Sequence, residues 1–261
     1  IGILGMASPL LQEVFAGKLL GNDLSFSQLD AGQLAQIAAI AAGFTGLLSL
    51  FNIGGRFFWA SFSDYLGRKN TYFVFFALGF ALYALIPNLG HLGNIALFVA
   101  AFCIILSMYG GGFATVPAYL ADLFGTQMVG AIHGRLLTAW AAAGVLGPVL
   151  VNYLREYQLS IGVERAAAYD ITLYILAGLL VLGFLCNLLV RPVADKYFMT
   201  DEQLAAEQAL GHDKGADSSV VLEWKASSAS LPVVIAAWLV VGIPLAWGVW
   251  VTLQKTAVLF H

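Results

Sequence analysis

The chain has 261 residues, of which 60% are hydrophobic and only 10% charged, with a net charge of −3. A soluble domain of this size carries about 25% charged residues, and the apolar residues here come in long blocks rather than stripes, as expected for helices surrounded by lipid. There is no basic tract to follow a phosphate backbone, so nucleic acid is not an expected partner. Cys103 and Cys186 both fall inside apolar blocks, without metal spacing or a disulfide framework. His91, His133, His212 and His261 fall in loops, a tail and the chain end, with no partner spacing. Neither an enzyme, a metal site nor a cofactor is expected.

Taken in chain order, Ile1 to Phe15 reads as the outgoing end of a helix already in progress, and a chain that opens on Ile rather than Met is expected to be a fragment. Residues 34–58, 71–87, 94–116, 134–153 and 169–190 read as five further spans, each near the ~20 apolar residues that cross a bilayer. Gly21-Asn22-Asp23 marks a turn in the polar segment 16–33, and Pro87-Asn88-Leu89-Gly90 marks a tight turn that makes two spans antiparallel neighbours. Residues 59–70 form a short charged connection. Residues 117–133 read as an amphipathic surface helix, and 154–168 as a charged loop.

The tail 191–231 holds four basic and seven acidic residues, which accounts for the whole net charge. A short helix is expected there, with Thr200 and Gln203 as a capping box and Gly211 as the stop. The last span, 232–254, opens with Ser230 and Pro232, carries Pro244 at its middle, offers Gly242 and Ala246 for close packing, and ends near Trp247 and Trp250. Placing loop 59–70 in the cytoplasm gives that side seven cations against four on the other, which sets the orientation.

The stretch Gly55-Arg56-Phe57-Phe58-Trp59-Ala60-Ser61-Phe62-Ser63-Asp64-Tyr65-Leu66-Gly67-Arg68-Lys69 runs from a span into an Asp, a Gly turn and two cations. Asp64 and Arg68 are one helical turn apart and are expected to pair. The stretch resembles the loop signature of the major facilitator carriers, Gly-x-x-x-Asp-x-x-Gly-Arg-Lys, with Ala60 in place of its first Gly. That resemblance implies a latch: Asp64, Gly67, Arg68 and Lys69 are gating residues, the carboxylate docking on a helix start in the other half of the carrier. Asp122 is an additional partner for Arg68, with ordinary surface pairing as the alternative.

A second stretch runs from Gly110-Gly111-Gly112-Phe113-Ala114-Thr115-Val116-Pro117 to Ala121-Asp122-Leu123-Phe124-Gly125, and on to Gly134-Arg135-Leu136-Leu137-Thr138-Ala139-Trp140. With Gly5-Met6-Ala7-Ser8-Pro9, it is similar to the oxalate–formate antiporter family of major facilitator carriers. The resemblance covers residues 1–192 and implies helices 7 to 12 of twelve around a site near mid-membrane. An intramembrane arginine is costly and marks function by default. Arg56 matches the family's helix 8 arginine and is expected to bind substrate, with Asn52 one turn deeper. The family's helix 11 lysine is replaced by Trp140, which favours a monocarboxylate over oxalate, or else is packing. Gly144-Val145-Leu146-Gly147-Pro148 is explained as well by tight packing as by an antiporter motif.

The expectation is therefore an all-α membrane protein: residues 1–192 form the C-terminal six-helix half of a major facilitator fold, 193–231 a cytoplasmic tail, and 232–256 an additional transmembrane helix. The function implied is alternating-access transport of a small organic anion such as formate or pyruvate. An oxalate/formate antiporter proper and a non-transporting accessory or receptor protein are the alternatives. The partners implied are that anion, the bilayer of a bacterial inner membrane, the missing N-terminal half, and a coupling proton or counter-anion.

Overall fold

The computed structural model describes residues 2–22, 24–194, 199–200, 202–203, 205–206 and 231–257. Its helices are α1 (Gly2–Phe15), α2 (Ala31–Leu66), α3 (Arg68–His91), α4 (Ile95–Phe124), α5 (Val129–Ser160), α6 (Asp170–Leu189) and α7 (Leu231–Ala257), with short 3-10 turns between some of them. Five of these, α2 to α6, are long and apolar enough to cross a membrane. No strand occurs among the described residues. Residues Ile1–Val190 with Gly248–His261 form one compact unit, and Arg191–Trp247 a second.

Local signals explain several helix ends. Asp30 and Gln33 form a reciprocal capping box at the start of α2, the Gln33 amide donating to Asp30 Oδ1 at 2.7 Å and the Asp30 amide to Gln33 Oε1 at 3.0 Å. Asn94 caps α4 by accepting from the Leu97 amide at 3.0 Å. Gly67, at φ +87°, is the entire connection between α2 and α3, in a backbone region that only glycine enters cheaply. In the tail, Thr200 and Gln203 exchange the expected capping bonds; the expected stop at Gly211 lies outside the described residues.

Three boundaries differ from the sequence reading. The connection 59–70 is mostly helix, since α2 continues to Leu66. The turn expected at Pro87-Asn88-Leu89-Gly90 falls at 92–94, because α3 carries Pro87 within it and ends at His91; a helix in lipid tolerates proline when its freed backbone groups find other partners. Residues 117–133 do not form a separate surface helix. The first part extends α4 through Pro117 to Phe124, Gly125 breaks it, and α5 begins at Val129. Likewise 154–168 is helical to Ser160.

In the first unit α4 lies at the centre, with more than half of its span buried, while almost none of α5's is. The α2–α4 contact is built on absent side chains. A Cβ on Gly55 would lie 2.6 Å from Ser107 Cα, and one on Gly110 would lie 2.9 Å from the Asn52 carbonyl carbon, so the two backbones touch in both directions. Gly111 leaves room for Trp59, whose indole donates to Ser107 Oγ at 3.2 Å. Aromatic rings fill the rest, with Phe44 edge-on to Phe102 at 5.7 Å and Phe15 edge-on to Phe98 at 4.9 Å. Gly147 backs onto Gly2 of α1, the packing reading of its Gly-Pro stretch.

Gly242 and Ala246, expected to pack closely, lie on the part of α7 that belongs to the second unit. Close contact involves the far end of α7: Thr252 lies against Gly46 of α2, and Thr256, 3% exposed, bonds the Gly43 carbonyl.

The glycine crossing generates a stability prediction. Gly110→Val forces α2 and α4 apart at a cost of ~1–3 kcal/mol or more, read as a lower melting midpoint in detergent. Gly130→Ala, where a Cβ meets nothing, leaves the midpoint unchanged or raises it.

Candidate functional site

Asn52 and Arg56 stand one turn apart on α2. Asn52 is half-buried against α4, where its amide reaches the Leu106 carbonyl at 3.4 Å. Arg56 is exposed, and its Nη2 donates to Asn52 Oδ1 at 3.4 Å. Among the described residues no carboxylate pairs with Arg56. It lies ten residues before the end of α2, roughly 15 Å along the axis. The Gly55–Ser107 contact beside it fixes the helix face on which the guanidinium emerges.

Trp140 is not in contact with this pair. Its indole donates to the Tyr109 hydroxyl at 3.2 Å and meets Phe113 edge-on at 5.8 Å. The three rings line a cleft of about 320 Å³ between α3, α4 and α5, shared with Tyr72, Leu137 and His133. His133, read from sequence as a loop residue, lies on α5 facing this cleft, with its Nδ1 buried and without a hydrogen-bond partner. Tyr109 and Phe113 were not singled out from sequence, although they flank the glycine triplet that was.

Asp64 and Arg68 pair across one turn, with Asp122 nearby. Arg68, 18% exposed, pairs with Asp64 and also bonds Ser63 Oγ, the Ala60 carbonyl at 3.2 Å and, more loosely, Asp122 Oδ2 at 3.8 Å. The two carboxylates are 61% and 63% exposed, so each pair contributes about 0–1 kcal/mol. Lys69 does something the signature did not reveal. Its Nζ donates to the carbonyls of Val190 at 2.7 Å and Leu188 at 3.3 Å, placing a cation at the C-terminal end of α6. Asn187 completes the tie, donating to the Lys69 carbonyl at 3.1 Å and accepting from the Tyr119 hydroxyl at 3.3 Å. An asparagine in the last turn of an apolar span was the available signal.

At the opposite end, a buried ion pair went unnoticed in the sequence. Glu13, 6% exposed, receives Arg155 through both carboxylate oxygens, at 2.5 and 3.4 Å, joining α1 to α5, with Arg165 at 3.9 Å. The Arg155 guanidinium sits over the Tyr169 ring at 5.7 Å. On the same side His91 bonds Asp170 at 2.8 Å, tying α3 to α6.

The model of the Major Facilitator Superfamily matches residues 2–260. The chain belongs to the Major Facilitator Superfamily. It is thus a multi-pass membrane protein of a carrier family rather than an enzyme. It is similar to the oxalate:formate antiporter of Oxalobacter formigenes, 33% identical over 134 residues, which are 51% of this chain and 31% of that protein. The match therefore spans about a third of that relative's length. No solved structure matches the chain.

The buried pair of this superfamily member generates a second prediction. Breaking a buried ion pair leaves an uncompensated charge at a cost of ~3–5 kcal/mol, whereas an apolar replacement of both partners is near neutral. Glu13→Gln should lower the melting midpoint in detergent, whereas Glu13→Leu together with Arg155→Met should stay close to the wild-type midpoint.

Proposed function

We propose that this chain is the C-terminal half of a secondary transporter in a bacterial inner membrane, moving a small organic anion by alternating access. The observation that carries this reading is Arg56: a guanidinium held by Asn52 within a spanning helix, ten residues before its end, with no carboxylate partner among the described residues. Such a cation is costly in the membrane unless a ligand answers it, and the planar fork suits a carboxylate bidentately. The relative's name supports the same substrate class.

We assign Arg56 and Asn52 to the anion and Trp140 to the neighbouring wall. With an indole where the oxalate carriers hold a lysine, one cation in this half favours a monocarboxylate such as formate or pyruvate. An oxalate/formate antiporter proper is the second reading, favoured by the relative's printed name. The N-terminal half, a coupling proton or counter-anion, and a cytoplasmic position for Gly67 belong to the same proposal. Asp64, Asp122, Gly67, Arg68 and Lys69 form the latch. The exposed pairs on Arg68 are weak enough to exchange partners during rocking, whereas Lys69 anchors α3 to α6 permanently.

Competition of unlabelled anions against labelled substrate in the complete carrier tests the site. Arg56→Lys should weaken monocarboxylate binding by losing the fork, and Arg56→Gln should nearly abolish it. Trp140→Lys should raise the affinity for oxalate relative to formate. Unchanged binding in Arg56→Gln would return Arg56 to a structural role.

The latch predicts a different split. Asp64→Asn should slow exchange in vesicles while leaving equilibrium binding within about twofold, because a helix-end interaction of ~1–2 kcal/mol is lost without any contact to the anion. Wild-type exchange in this variant would exclude the latch.

A further inference from the structure

Helix α7 lies outside the six-helix plan, and neither the anion site nor the latch uses it. Its outer end nonetheless has a specific seat. Gly43 and Gly46, three residues apart on α2, remove two side chains from one face of that helix. A Cβ built on Gly46 would lie 2.6 Å from Thr252 Cγ2 and 3.1 Å from its Oγ1, so the threonine occupies the space that any other residue at 46 would fill. One turn further along α7, the Thr256 hydroxyl lies 2.9 Å from the Gly43 carbonyl and 2.8 Å from the Thr252 carbonyl of its own helix. Two threonines at i and i+4 thus meet a glycine notch, the small-residue and hydroxyl chemistry that joins helices in lipid without a hydrophobic driving force. The same pairing brings a carbonyl on α2 to a donor, where lipid offers none.

We propose that α7 is a built-in accessory helix whose outer end docks in the Gly43–Gly46 notch, and that it stays seated there through the transport cycle. The notch lies on the helix that carries Arg56, thirteen residues away from Gly43, or roughly 20 Å along the axis. A helix seated there moves with α2 as one body and shields the notch from lipid. The second part of the proposal rests on the transport reading; the docking does not.

The test is a disulfide. The Cβ positions of Gly46 and Thr252 would be 3.4 Å apart, close to the ~3.5–4.5 Å of natural disulfides. Gly46→Cys with Thr252→Cys is placed in the complete protein, with Cys103 and Cys186 replaced by Ala and a protease site inserted between residues 207 and 230. After oxidation in membranes and cleavage, α7 should remain attached to the carrier on a non-reducing gel and separate on reduction. Gly46→Cys with Trp238→Cys, where the second position lies fourteen residues or ~21 Å along α7 from Thr252, is the control. Cross-linking no better than this control would overturn the docking.

Without cross-linking, α7 should still co-purify with the carrier after cleavage. Gly46→Ala should reduce that recovery several-fold, and adding Thr252→Ala, which removes the clashing atoms, should restore it to within about twofold. Recovery unaffected by Gly46→Ala would also overturn the docking. Finally, the oxidised carrier should exchange substrate at no less than half its reduced rate. A loss on oxidation that reductant reverses would overturn continuous seating. Absence of transport in both oxidised and reduced protein would overturn the transport reading and leave the docking result standing.

Discussion

The structure depends on a contact between two backbones. Gly55 and Gly110 let α2 and α4 touch at Ser107 and Asn52, and the placement of Asn52 and Arg56 is referred to that crossing. It fixes the rotation of α2, which sends Arg56 to the uncovered face and Trp59 inward. It also places Asn52 against α4, so the residue that holds the guanidinium is itself held. In lipid, close approach of this kind supplies the dispersion and weak polar contact that hydrophobic burial supplies in water. A side chain added at either glycine would therefore disturb the Asn52–Arg56 pair and the packing together.

The charged residues divide by burial. The Arg68 pairs at the α2–α3 turn involve carboxylates that remain mostly exposed, so each is individually weak. The Glu13–Arg155 pair at the other end is buried and bidentate, and removing one partner there is far more costly than at the turn. The weak end suits contacts that change; the strong end suits a permanent tie between α1 and α5. Lys69 belongs with the permanent ties despite its place in the signature, because its ammonium is committed to the carbonyls at the end of α6.

Much of this was legible in the sequence, for identifiable reasons. Long apolar blocks gave the spans, and the Asp-x-x-Gly-Arg-Lys order gave the Asp64–Arg68 pairing and the Gly67 break, because capping and turn chemistry are local. The helix ends at Pro87 and Pro117 were misjudged because proline was read as a stop, whereas these helices continue through it, as membrane helices do when the freed backbone groups find other partners. The Glu13–Arg155 pair spans 142 positions and lies in segments read separately as a helix end and a charged loop. Nothing local joins them. The same holds for Asn187, and for the threonines of α7, whose partners lie more than two hundred residues earlier. The small-residue rule was applied to Gly242 and Ala246 on α7 but not to Gly43 and Gly46 on α2, where the threonines of α7 sit.

The unbroken length of α2 has a mechanical consequence. Its 36 residues make a rod of ~54 Å, against a hydrocarbon core of ~30 Å, so the helix is far longer than a crossing along the bilayer normal requires. Gly67 alone joins it to α3, which makes that residue a fulcrum. A tilt of ~10° about the fulcrum would swing Arg56 by roughly 2–3 Å and the Asp30 end by nearly 10 Å, using the rise of 1.5 Å per residue. Small torques applied beside the pivot are thus amplified toward the far surface, and the guanidinium sits at the short arm of the lever, where displacement is small and orientation is best preserved.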